Sequence, residues 1–180
     1  MKKYIVTKTL IDSKNSEQLK DQVIVIEDGK IAAITPLSSI NSSEMNPDFT
    51  YEVNYVLPGL IDCHNHLAFD IGNHEDQARQ HITYRSLKAA RNARKDLLSG
   101  VTTMRTTGEK EVIDFAYRRA IKEWIVPGPR VLASGAPIGV TGGHWAVVTE
   151  EVDGLEAMRN AVRRRKRTGA DFIKLMVTGG

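Results

Sequence analysis

The chain has 180 residues, room for one ordinary domain of about 100–200 residues or for a piece of a larger one. With 41% apolar and 26% charged residues it can bury a sizeable core, which excludes an intrinsically disordered chain, and no apolar run is long enough for a membrane span. Its single cysteine, Cys63, excludes an intrachain disulfide and a cysteine cluster around a metal, and a net charge of +3 is no evidence for a nucleic-acid partner. The start, Met1-Lys2-Lys3, leads into a mixed segment without a signal-peptide core, so a cytoplasmic chain without a membrane partner is expected.

In chain order, Tyr4 to Thr9 reads as a strand, and Gln22 to Glu27 and Lys30 to Ile34 read as two strands around a tight Asp28-Gly29 turn. Pro36 to Thr50 is rich in Ser, Asn and Pro and reads as an exposed loop. From Val56 the texture changes to short apolar strands, each followed by a longer helical pattern, which predicts parallel βα units. The strands fall at Leu60–His66, Val101–Thr106, Arg130–Ser134 and Ala170–Val177. The helices fall at Glu75–Ser99, Glu109–Trp124 and Asp153–Thr168, with Gly100 and Gly169 as stops after the first and last.

Spacing decides the architecture. A (β/α)8 barrel of about 250 residues spends about 31 on each unit, so residues 58–180 hold about four units. The predicted fold is α/β: residues 1–56 form part of a small β-rich domain, and residues 57–180 form the N-terminal half of a TIM-type barrel. A doubly wound open sheet competes, but no GxGxxG follows the first strand.

His64 and His66 flank Asn65 near the end of the first strand, where a period of two sends both imidazoles to one side. In a barrel that side is the mouth, and neutral imidazole is a good ligand for zinc and similar ions. Two stacked core or surface histidines fit the same spacing. Lys174 lies within Phe172-Ile-Lys-Leu-Met-Val177, where an unpaired charge is costly to bury, and a lysine reaching solvent from a strand end fits equally. Arg163 to Arg167 put five positive charges in one stretch, which reads as a solvated helix face.

The run Val56-Leu-Pro-Gly-Leu-Ile-Asp-Cys-His-Asn-His66 resembles the opening strand of the metal-dependent amidohydrolase superfamily. Gly100-Val-Thr-Thr-Met-Arg105, Gly128 to Gly135, Thr141-Gly-Gly-His144 and Gly169 to Gly180 match further motifs in the same order. Together they are similar to the imidazolonepropionase-related subgroup, which includes Xaa-Pro dipeptidases. The resemblance implies a hydrolase of amide or related C–N bonds, acting on small dipeptide-like or cyclic amide substrates. It implies that His64 and His66 bind the more buried of two divalent metals, zinc being expected, and that Lys174 carries a carbon dioxide-derived carbamate bridging both. A hydroxide held by the metals would attack the carbonyl. His144 is expected on a loop over the mouth, where it contacts substrate or a developing oxyanion or is a plain loop histidine. Cys63, on the strand face opposite His64, is expected to be buried, and His74 and His81 carry no matched role.

Three departures stand out. Trp145-Ala146 follows His144 where the family often has a small or acidic pair, and Thr106 follows Arg105 where relatives commonly carry an acid. Strands five, six and eight of the family, with two more histidines and the proton-handling aspartate, have no counterpart, so no catalytic residue is assigned. By that reckoning the chain is a fragment or a truncated product, and residues 1–180 alone are expected to bind metal weakly, turn nothing over, and self-associate unless a C-terminal half completes the barrel. The complete enzyme is expected to be a homo-oligomer. Two other classes fit parts of the sequence: a basic binding module built on Arg163 to Arg167, and a non-catalytic assembly subunit that pairs its open strand edge.

Overall fold

A computed structural model describes residues 2–15 and 17–178. The chain divides into two compact units, Met1–Pro58 and Gly59–Gly180. The first is a four-stranded sheet of β1 (Lys2–Asp12), β2 (Glu17–Glu27), β3 (Lys30–Pro36) and β4 (Thr50–Val56), in the order β3-β2-β1-β4. β2 runs antiparallel to both β1 and β3, and β4 runs parallel to β1. Asp28 and Gly29 have φ of 49° and 76°, the pair of positive values whose twist suits a two-residue hairpin. The predicted loop after β3 folds into three short 3-10 turns, which carry the chain across so that β4 can enter parallel to β1. The Tyr4 hydroxyl donates to the Glu44 carbonyl at 3.2 Å and pins that loop over a small core of Tyr4, Val23 and Val25. β4 was not predicted, although Tyr51, Val53 and Tyr55 alternate with Glu52 and Asn54; it is an edge strand on which that apolar face stays exposed.

The second unit begins with three parallel strands, β5 (Leu60–Asn65), β6 (Val101–Thr106) and β7 (Arg130–Ala133), in the order β5-β6-β7. Their connections carry α1 (His74–Arg79), α2 (Ile82–Leu98) and α3 (Ile113–Lys122). Met104 of β6 and Val131 and Ala133 of β7 alternate onto the helix side and pack in one core with Ala89, Ala93, Ile113 and Tyr117. Ala89 and Ala93, four residues apart on one face of α2 and fully buried, let that helix approach the sheet closely. After β7 come the short strands β8 (Ile138–Gly139) and β9 (Glu150–Glu151), helix α4 (Leu155–Thr168) and β10 (Leu175–Met176). α4 ends at Gly169, whose φ of 100° is the left-handed cap that glycine adopts without a Cβ penalty.

Three expectations are corrected. The predicted helix Glu75–Ser99 is two helices, because Gln80 turns extended and the His81 ring caps α2 by accepting from the Thr83 amide at 3.3 Å. The predicted strand Ala170–Val177 is regular only at Leu175–Met176. Asp171 closes off the β7 edge, giving its amide to the Ala133 carbonyl and taking the Ala133 amide on its carboxylate, so β10 pairs with β8 instead. Cys63 is exposed rather than buried, because β5 is the edge of its sheet. The Arg163 to Arg167 run lies on α4, where Arg164 and Arg165 both meet Glu150 at 2.5 Å. No helix among the described residues is long and apolar enough to cross a membrane.

Candidate functional site

The segment that follows β5 is held from two directions. Asn92 of α2 donates to the Leu67 carbonyl at 3.0 Å, and Lys88 and Arg91 meet the Asp70 carboxylate at 3.2 and 2.5 Å. From beyond β6, three consecutive residues reach across. The Thr107 amide donates to the Asn65 carbonyl at 2.9 Å, the Gly108 carbonyl accepts from His66 Nδ1 at 2.8 Å, and the Glu109 carboxylate accepts from the Ala68 amide at 3.1 Å. Because a carbonyl can only accept, Nδ1 of His66 carries the proton and Nε2 keeps a lone pair.

That lone pair sits at an open cavity of about 440 Å³ whose lining includes His64, His66, His74, His144, Trp145 and Lys174. The His64 and His66 rings are 5.3 Å apart, centre to centre. Trp145 stands edge-on to His66 at 4.9 Å and packs against Phe69 at 4.9 Å, forming an aromatic wall. Lys174 is half-buried there, and its ammonium has no hydrogen bond or ion pair among the described residues. Among those residues no three His, Cys, Asp or Glu side chains gather closely enough to hold a metal ion. The nitrogen donors that line the cavity are four imidazoles and the Lys174 amine.

Burial shifts the groups around this cavity. It pulls the imidazolium of His66 below the ordinary range, helped by His64, Lys174 and His74 and opposed by the Gly108 carbonyl, so the neutral ligand form is favoured. It pushes Glu109, which has no exposed surface, up to about 8, against the pull of the Ala68 amide and Arg85. Asp114, also fully buried, is raised by the same cause, although the Gly135 and Phe115 amides at 2.7 and 3.0 Å stabilise its charge.

His64, His66, His144 and Lys174 are thus brought to one cavity, with His144 exposed on the loop at its rim. Gly179 and Gly180, which close the last sequence motif, lie outside the described residues. His74 lines the cavity too. It opens α1 next to its cap Asn73, a placement that depends on where the first helix starts and is invisible to spacing. Thr106, which stands where an acid was expected after Arg105, gives its hydroxyl to the Asp114 carboxylate of α3 at 3.3 Å. Arg85, Lys88 and Glu109 were also missed, since their charges suggested surface and only the fold shows them buried.

Residues 55–180 match the model of the Amidohydrolase family. The chain belongs to the amidohydrolase family. Ochratoxinase from Aspergillus niger is 29% identical to this amidohydrolase chain over 98% of its length, covering 42% of the fungal protein. Imidazolonepropionase from Methylobacterium nodulans is 26% identical over 91% of the chain and 37% of the relative. Among solved structures, a Xaa-Pro dipeptidase with bound methionine in the active site superposes with a TM-score of 0.84 and 29% identity, over 100% of this chain and 48% of that one. The amidohydrolase chain therefore spans less than half the length of the relatives it matches, and its α/β fold corresponds to their N-terminal portion.

Proposed function

We propose that residues 59–180 form the first half of a (β/α)8 barrel with a divalent-metal site at its mouth, in a hydrolase of amide or related C–N bonds. The observation that carries this is the convergence of His64, His66 and Lys174 on one cavity, with Nε2 of His66 left free by the hydrogen bond to Gly108. These donors fit a zinc-like ion: imidazole nitrogens are among its common ligands, and Lys174, whose side chain has no hydrogen bond or ion pair among the described residues, could take up carbon dioxide as a carbamate that would offer two oxygen ligands. A bound divalent metal supplies a hydroxide nucleophile at neutral pH and polarises a carbonyl. The chain's own residues do the rest. His64 and His66 hold and orient the ion, His144 at the rim meets the substrate, and Trp145, backed by Phe69, favours an apolar group beside the bond to be cut. Relatives named ochratoxinase, imidazolonepropionase and Xaa-Pro dipeptidase support small amide-like substrates.

No carboxylate lines this cavity among the described residues, so a polypeptide of residues 1–180 is expected to bind zinc weakly and to hydrolyse nothing in a dipeptide panel. The exposed side chains of Leu60 and Ile61 on the edge strand β5 support pairing with additional strands, and a homo-oligomer of the completed enzyme. The test is zinc content with and without bicarbonate, together with carbon-13 NMR after labelled bicarbonate. Added bicarbonate should raise the zinc content and produce a carbamate signal, and Lys174→Ala should abolish both responses. Unchanged zinc content and an unchanged bicarbonate response in that variant would remove the carbamate from the proposal.

A further inference from the structure

We infer that Glu109 is a positioning residue for His66: its buried carboxylate fixes the strip of chain that sets which ring nitrogen of His66 carries the proton. The inference rests on the proposed ligand role of His66, but its first readout does not need a metal.

The contacts from Thr107, Gly108 and Glu109 to residues 65–68 form three consecutive rungs, and Glu109 supplies the one that uses its side chain. The middle rung holds the His66 ring, and it comes from a glycine with little stiffness of its own. Gly108 has φ of 138°, and a Cβ there would lie 2.6 Å from Pro137 Cγ, so no side chain can steady it from within. Its position is set by the rungs on either side. On the far side, the Glu109 amide donates to the Gly135 carbonyl at 3.3 Å, so Glu109 is tied to the strip beyond β7 as well as to Ala68.

A fully buried acid is costly to place without partners, and of the two Glu109 oxygens only Oε1, which takes the Ala68 amide, is hydrogen-bonded. Arg85 of α2, equally buried, brings Nη2 to 3.8 Å from Oε2, too long for a hydrogen bond but close enough to offset the charge. The Arg85 guanidinium also lies 5.3 Å from the centre of the Phe69 ring, on the same segment that Glu109 grips. The mechanism proposed above gives this acid no part in bond breaking, and it lies outside the lining of the cavity. What it touches is the amide two residues past His66. An oxygen acceptor at that place is what the positioning requires, whether or not it carries charge.

The experiment reads the His66 side-chain nitrogens by long-range proton–nitrogen-15 correlation in the metal-free chain, assigned with His66→Gln, and then measures zinc affinity by competition. In the unsubstituted protein His66 should hold its proton on Nδ1. Glu109→Ala should mix the two tautomers and weaken zinc binding by about 10–100-fold, the usual effect of losing a group that orients a ligand. Glu109→Gln keeps an acceptor oxygen for Ala68 and should leave the tautomer in place and the affinity within about 3-fold. Glu109→Leu fills similar volume without an acceptor and should behave like the alanine variant, which keeps the test open if the latter does not fold. Val131→Ala, which loosens the same core away from the strip, should lower stability without moving the tautomer. A tautomer unchanged in both acceptor-less variants, or mixed equally in the glutamine variant, would overturn the inference. A tautomer that responds as expected in a protein with no zinc affinity would uphold the positioning role and count against the ligand role of His66.

Discussion

Replacing Asp114 with alanine should lower the unfolding free energy by about 2–5 kcal/mol, one of the largest effects available to a single substitution outside the apolar core. The carboxylate has no exposed surface, and it is the acceptor for the Gly135 and Phe115 amides and the Thr106 hydroxyl. Removing it leaves the buried Gly135 N–H and the half-buried Phe115 N–H unpaired, each worth up to about 1–3 kcal/mol. The loss also reaches the site. Asp114 joins the end of β6 to the segment after β7, and Pro137 in that segment packs against Gly108, whose carbonyl holds His66. Asp114→Asn should cost less, because one oxygen survives while its amide group faces the Phe115 N–H. Urea unfolding measures both. A midpoint for Asp114→Ala equivalent to a loss below about 0.5 kcal/mol would show that the three donors find other partners.

Asp114 also marks where sequence reasoning stopped. The strands β5, β6 and β7 were legible because short apolar runs alternate with helical periods, and the ends of α2 and α4 were legible because Gly100 and Gly169 follow them. The two candidate imidazoles were legible because a strand's period of two places His64 and His66 together, and the cavity does contain both. Motif resemblance, rather than spacing, pointed to Lys174 and His144. What stayed hidden depends on contacts far apart in sequence. Asp114 looks like an ordinary first-turn acid of a helix, and only the packing of α3 across β6 and β7 turns it inward. Arg85 and Lys88 interrupt the apolar face of α2 and so weaken its periodicity, yet both are buried against acids from other segments. The fourth strand was overestimated because Asp171, read as a polar residue near its start, instead caps the edge of β7.

Stability should fall as pH rises from about 4.5 to about 8, and Glu109→Gln should flatten that fall. The native carboxyl of Glu109 is raised from 4.5 to about 8, chiefly by burial, with the charge of Asp114 adding to the shift and Arg85 opposing it. Between those values the native state keeps a proton that the unfolded chain gives up. The native state therefore binds more protons, and linkage makes unfolding easier with each step upward in pH. Below about 4.5 both states are protonated and above about 8 both are ionised, so the slope is confined to that window. At 1.36 kcal/mol per unit the full interval is worth at most about 5 kcal/mol. His66 works in the other direction: its native imidazolium is disfavoured, so it costs stability as pH falls through its unfolded value of about 6.5. The difference between the unsubstituted protein and Glu109→Gln removes that contribution and isolates Glu109. Unfolding free energies at pH 5, 6.5 and 8 should converge or cross, with the glutamine variant gaining several kcal/mol relative to the unsubstituted protein by pH 8. Parallel curves would mean that Arg85, 3.8 Å away, already holds the acid ionised at neutral pH, and the burial of that pair would then be an ion pair rather than a proton held in the core.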